Sequence, residues 1–282
     1  MNNKLTFIIP SIGRNTLQNT IQSLENQTNA NWCAIIIFDG CTPNFKTTNP
    51  KIKIIQIEKL GQGVNSAGLV RNEGIKLAET EWIAFVDDDD TLAINYVETF
   101  YEELQFFHDM YGGVVCDVSG CDYEVVDGSG SLVCDMSGVI DASGCHYARI
   151  DGSGSLVCDM SGVIDASGCI ENKATKNDYE PDVIIFRMKT YYGDICPDLS
   201  TDNFYNGKVG ISFAMKKTIF NNNIIFVPSC TEDYFILDKI RENNYKIMIS
   251  PYLRYFVRNI PKEEIDAFTK NKIIGNRVLL NI

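Results

Sequence analysis

Short apolar runs separated by segments of helical period constrain this chain more than any other feature. Residues 34–38 (AIIIF) are five apolar side chains in succession. Such a run offers water no polar face and is too short for a helix, so it reads as a strand covered on both sides, as in a parallel sheet. Residues 5–9 (LTFII), 52–57 (IKIIQI) and 82–86 (WIAFV) read as strands too. Between them, residues 14–27 set Leu17, Ile21 and Leu24 on one helical face, and residues 66–78 form a second helix. Strands alternating with helices predict βαβ units. The pattern resumes with strands over 182–188, 210–215 and around 246–249, and a helix near 233–243. The predicted fold class is α/β, a mostly parallel but mixed central sheet flanked by helices.

The two halves of that pattern are separated by an internal repeat. Residues 127–145 (DGSGSLVCDMSGVIDASGC) recur letter for letter at 151–169, a period of 24. Apolar pairs punctuated by Gly, Ser and Asp predict short strands and tight turns. About two and a half copies fall short of the roughly three that a self-supporting solenoid needs. The stretch therefore reads as an insertion, giving three parts: 1–111, 112–170 and 171–282. Of the −12 net charge, −8 falls within 112–170, where nine acidic residues face one Arg. Six of the ten cysteines also lie there, without the close pairs of structural zinc sites. His108 and His146 are too few and too far apart for a histidine metal centre.

The fourth apolar run leads straight into Asp87, Asp88, Asp89 and Asp90. Open parallel sheets bind ligands at the carboxyl ends of their strands, and both this run and Asp39 fall at such ends. Adjacent carboxylates repel one another unless exposed or neutralised, and a divalent cation neutralises them efficiently. In an extended turn, alternate residues face the same way, so Asp87 and Asp89 would share a ligand while Asp88 and Asp90 point elsewhere. The alternative is a solvated acidic turn, with Asp90 capping a helix that begins at Leu92.

Five segments, IIPSIGR (8–14), IIIFDG (35–40), GLVRNEGIKLA (68–78), WIAFVDDDDTL (82–92) and TEDY (231–234), occur in an order that resembles family two glycosyltransferases. The resemblance implies the GT-A fold, a nucleotide-diphosphate sugar donor (typically UDP-linked), a Mn2+ or Mg2+ cofactor and an inverting transfer to a hydroxyl acceptor. It makes 1–111 the nucleotide-sugar half and 171–282 the acceptor half. Residue by residue, it implies that Pro10 and Ser11 line the nucleotide pocket, that Asp39 meets the base, and that Arg71 lies beside the nucleotide. Asp87 and Asp89 match the family's DxD pair, Asp89 as metal ligand and Asp87 nearer the ribose. Glu232 and Asp233 match its acidic pair, with Asp233 the general base, and Arg258 would meet the diphosphate. Structural alternatives stand beside these roles: a turn residue for Asp39, a helix-surface cation for Arg71, a helix cap for Asp233. The chain departs from the pattern at Cys41 beside Asp39-Gly40, in lacking a Gln-x-x-Arg-Trp motif, and in the insertion.

Two other functions compete. A sugar-phosphate nucleotidyltransferase would need a Gly-rich cationic loop after the first strand, where residues 11–14 supply one Gly and one Arg. A non-catalytic module would use the Asp-Gly-Ser turns of the repeat for calcium, though they fit no calcium-loop motif. The acidic balance argues against a nucleic-acid partner. No apolar run reaches the ~20 residues of a membrane span, and the first ten residues lack a signal-peptide pattern, so the expected location is the cytoplasm.

Overall fold

The computed structural model describes residues 5–61, 65–111, 132–134, 148–150, 156–158, 180–258, 260, 265 and 274–281. The elements in chain order are β1 (Leu5–Ser11), α1 (Leu17–Glu25), β2 (Trp32–Asp39), β3 (Ile52–Ile57), α2 (Ala67–Leu77), β4 (Trp82–Phe85), β5 (Thr91–Leu92) and α3 (Tyr96–Tyr111). Next come β6 (Leu132–Cys134), β7 (Ala148–Ile150), β8 (Leu156–Cys158), β9 (Val183–Lys189), β10 (Ile195–Cys196) and β11 (Phe213–Lys216). The last are α4 (Lys217–Asn221), α5 (Glu232–Glu242), β12 (Ile247–Phe256) and β13 (Val278–Leu280).

The chain divides into two compact units, Met1–Gln105 with Pro181–Ile282, and Phe106–Glu180. The first holds one mixed sheet in the order β13-β12-β9-β11-β4-β1-β2-β3, with β10 on β9 and β5 on β12. Strands β3, β2, β1 and β4 are mutually parallel. β11 runs against both β4 and β9, so β9, and β12 parallel to it, point the same way as β4. The apolar runs explain the core: every residue of β1 is buried, as are Ile35, Ile36 and Ile37 of β2. Leu17, Ile21 and Leu24 bury the inner face of α1 as their spacing predicts. Gly74 lets α2 sit tightly on the sheet, because a Cβ there would press on Ile8 and come within 2.8 Å of Ile37 Cδ1.

In the second unit, the identical LVC segments of the two repeat copies pair antiparallel as β6 and β8, and β7 joins β8. The Val-Ile pairs of the repeat, His146 and the remaining cysteines of the insertion lie outside the described residues.

Two expected boundaries need correction. No helix begins at Leu92: Thr91 and Leu92 pair with Phe256 and Tyr255 as β5, and α3 starts only at Tyr96. The last long strand extends far beyond 246–249 to Phe256 and runs through Pro251. Proline cannot donate to a ladder, and the strand accommodates it through register shifts between Ile249 and Leu253 and between Leu253 and Tyr255.

Candidate active site

The carboxyl ends of β1, β2, β4 and β12 share one edge of the sheet, and a cleft of about 410 Å³ opens there. β1 lies between β2 and β4, where strand order reverses, which is where open α/β sheets bind ligands. All nine residues singled out from the sequence line this cleft: Pro10, Ser11, Asp39, Arg71, Asp87, Asp89, Glu232, Asp233 and Arg258.

The four aspartates form a tight turn, not an extended one, closed by the Asp90 amide donating to the Asp87 carbonyl at 3.1 Å. That changes which carboxylates meet. Asp87, Asp89 and Asp90 each present an oxygen within 4.8 Å of the others, so Asp90 joins the cluster instead of capping a helix. It accepts from the Tyr255 hydroxyl at 2.6 Å and the Arg258 amide at 3.0 Å. Burial, and then the charge on Asp87, push the Asp90 carboxyl well up. Asp88 turns the other way, accepting from Ser11 Oγ at 2.7 Å and from the Ile12 amide, so it ties the end of β1 to the turn. Arg14 spans Asp88 (2.8 Å) and Asp89 (3.3 Å), while Arg258 Nε reaches Asp89 at 3.2 Å. An all-oxygen donor set crowded with negative charge suits a hard divalent cation such as Mg2+ or Mn2+.

Arg71, fully buried on α2, joins this turn to the start of α5. Its guanidinium pairs with Asp87 at 2.5 Å, Glu232 at 2.9 Å and Asp233 at 3.8 Å. Burial opposes its charge, but Asp87, Asp233 and Glu232 together outweigh that and raise its pKa. Glu232 is fixed further by Asn65 Nδ2, with both carboxylate oxygens within 3.2 Å. Asp233 differs: its Oδ1 is buried with no hydrogen-bond partner. Burial raises its carboxyl from 3.8 to about 7, against the pull of Arg71. A carboxylate with spare acceptor capacity and a pKa near neutrality has the properties of a general base.

Asp39 accepts from the Leu60 amide at 2.7 Å, from Ser66 Oγ at 3.2 Å and from Lys59. Each carboxylate oxygen has two lone-pair directions, so these bonds leave room for a ligand donor. The sequence did not single out Asp88, Arg14 or Lys59, and it placed Asp90 elsewhere. Tyr255 stands three residues before Arg258, but only the fold shows its hydroxyl accepting from the Asp87 amide at 3.2 Å. The loop that a nucleotidyltransferase would use for phosphate has its one cation, Arg14, committed to Asp88 and Asp89.

Residues 6–139 match the family model described as glycosyl transferase family 2. A poly(ribitol-phosphate) beta-N-acetylglucosaminyltransferase, TarP of Staphylococcus aureus, is 32% identical over 104 residues, 35% of this chain and 32% of the relative. An uncharacterized glycosyltransferase of Rickettsia bellii is 37% identical over 113 residues, 36% of this chain and 16% of that protein. The chain thus spans about a third or less of these relatives' length. Among solved structures, S. aureus TarS superposes with a TM-score of 0.52 at 14% identity, covering 93% of this chain and 38% of TarS. TarS 1–349 in complex with UDP gives 0.52 at 13% identity, covering 94% and 69%. The mixed sheet with its flanking helices is the GT-A fold. Among the described residues, no helix is long and apolar enough to cross a membrane.

Proposed function

We propose that this chain, a member of glycosyl transferase family 2, transfers a sugar from a nucleoside-diphosphate sugar to an acceptor hydroxyl with inversion at the anomeric carbon. One observation carries the reading: a buried oxygen of Asp233 that accepts no hydrogen bond lines the same cleft as the Asp87–Asp89–Asp90 cluster. A base for the acceptor and an anchor for a diphosphate are thus held on one frame. UDP as the nucleotide draws support from TarS, which was solved with UDP bound.

In this mechanism Pro10, Ser11 and Asp39 enclose the base, and Asp87, steadied by Arg71, sits beside the ribose. A divalent cation held by Asp89 with Asp87 and Asp90 would supply positive charge against the departing diphosphate. Arg258, on the same cluster and mostly exposed, adds a guanidinium at that end. Asp233 takes the acceptor's proton as the acceptor oxygen bonds to the anomeric carbon and the bond from that carbon to the phosphate oxygen breaks. Glu232 does not compete for the proton, because Arg71 and Asn65 hold it in the wall. A single displacement inverts the anomeric centre. The N-terminal half of the GT-A unit serves the donor in this reading and the C-terminal half the acceptor.

Calorimetric titration with UDP, with and without Mn2+, tests the donor side. Wild type is expected to bind more tightly with Mn2+, and Asp89→Ala to lose that enhancement while unfolding cooperatively. Equal Mn2+ enhancement in the two proteins would remove the basis of the metal assignment.

A further inference from the structure

Among the described residues the strongly exposed tyrosines are Tyr191, Tyr192 and Tyr205, all within fifteen residues of one another on the acceptor half. They are 68%, 87% and 54% exposed, and Tyr191 and Tyr192 stand edge to face with ring centroids 5.6 Å apart. The pair occupies a tight hairpin after β9, closed by the Thr190 amide on the Asp194 carbonyl at 2.8 Å and the Gly193 amide on the Thr190 carbonyl at 2.9 Å. Gly193 makes the turn with a φ of 90°, a conformation that excludes most side chains.

The position of this hairpin gives it meaning. Lys189 ends β9 opposite Phe256, and the Val257 amide donates to its carbonyl at 2.9 Å. Two residues beyond that pair, past the ends of both strands, the chain reaches Tyr191 on one side and Arg258 on the other, which touches Asp89 and Asp90. The tyrosine hairpin thus begins two residues after Lys189, whose carbonyl holds Val257, the neighbour of the Arg258 amide that meets Asp90 at 3.0 Å. Asp194 at its end and Tyr205 line a cleft of about 440 Å³, together with Asp202 and Lys208. The chain then runs from Lys208 to Gly210. There, a Cβ would collide with Met188 Sδ at 2.6 Å and stand 4.0 Å from Asp233 Oδ2, so the backbone passes directly beside the candidate base.

We propose that the Tyr191–Tyr192 hairpin and the cleft beside Tyr205 are a secondary binding site for a neutral saccharide chain, whose end reaches Asp233. This rests on the glycosyl-transfer reading and extends it to the class of acceptor. Exposed tyrosine rings offer flat apolar faces to the C–H side of a sugar ring at small entropic cost, while carboxylate, ammonium and hydroxyl groups beside them meet its hydroxyls. Charge selects among polymers. Residues 190–210 carry three aspartates and one lysine, so a phosphodiester chain would be repelled where a neutral glycan is not.

The test is calorimetric binding of β-1,4-linked glucose and N-acetylglucosamine oligomers of one to six units, and of a polyglycerol phosphate fragment of equal length. Wild type is expected to bind the longer members of a neutral series, not the monosaccharide, and to bind the phosphodiester chain more weakly. Tyr191→Ala with Tyr192→Ala weakens that binding about tenfold, and the paired Phe variants retain it because the rings remain. UDP affinity is unchanged throughout. The proposal is overturned if wild type binds no neutral oligomer, if the double alanine variant binds as wild type does, or if the phosphodiester chain binds best. Saccharide binding without UDP binding would instead sink the transfer reading and leave the tyrosine site standing.

Discussion

Asp233→Asn separates the stability and the activity of the candidate base, because its carboxylate is held where the fold disfavours its charge. Its pKa rises from 3.8 to about 7, with burial the main cause. Below pH 3.8 the folded and unfolded chains are both protonated there, so the residue makes no difference. Between 3.8 and about 7 the unfolded chain alone ionises, and stability falls as pH rises. Above that window the cost is constant, and a shift of this size corresponds to about 4 kcal/mol. The side chain is 24% exposed, so solvent screening leaves roughly half, ~2 kcal/mol. Asn keeps the shape and removes the charge. The variant should therefore be more stable than wild type at pH 8 by ~2 kcal/mol, a Tm gain of a few degrees, and equal to it near pH 3.5. Its turnover, read as UDP release from a UDP-sugar at saturation, should fall about 10²–10⁴-fold, with UDP affinity unchanged. Wild-type kcat/KM should rise with pH through about 7, since the base must be ionised. A variant that is no more stable at pH 8 would show that burial does not disfavour the Asp233 charge, and one that keeps its turnover would show that Asp233 is not the base.

Two further substitutions test the frame. Arg71→Met leaves Asp87, Glu232 and Asp233 without their shared cation, and breaking a buried ion pair on one side costs about 3–5 kcal/mol; a loss under 1 kcal/mol in urea unfolding would contradict the bridging role. Gly74→Ala gains up to ~1 kcal/mol of helix propensity but forces a methyl against Ile8 and Ile37, an overpacking cost of about 1–3 kcal/mol. Net stabilisation would mean that α2 does not press on the sheet.

Local pattern carried the sheet and much of the cleft into view. Unbroken apolar runs have one comfortable location, the interior of a doubly covered sheet, so β1, β2 and β4 could be read directly, and with them the edge that holds Ser11, Asp39 and Asp87. What escaped depends on contacts distant in sequence. Whether four aspartates lie extended or turned is decided by the Asp90 amide and by Tyr255, 165 residues away from Asp90. Arg71 reads equally as a surface cation until α5 arrives to face it. The strand expected around 246–249 runs on through Pro251, because the bulges that absorb the proline depend on a partner the sequence does not name.

Those bulges make the site a matter of counting. The offset between partners on β12 and β9 is 64 at Ile247 and Val183, 66 at Leu253 and Arg187, and 67 at Tyr255 and Met188. A step of two preserves which face of the sheet a side chain occupies, whereas a step of one exchanges the faces. The single extra residue is Arg254, buried with its Nε on Thr99 Oγ1 at 2.8 Å. Its presence turns the Tyr255 hydroxyl toward Asp87 and Asp90. The cleft is therefore sensitive to parity: losing one residue from 250–254 would leave every residue that lines it unchanged in identity, yet carry Tyr255 to the wrong side.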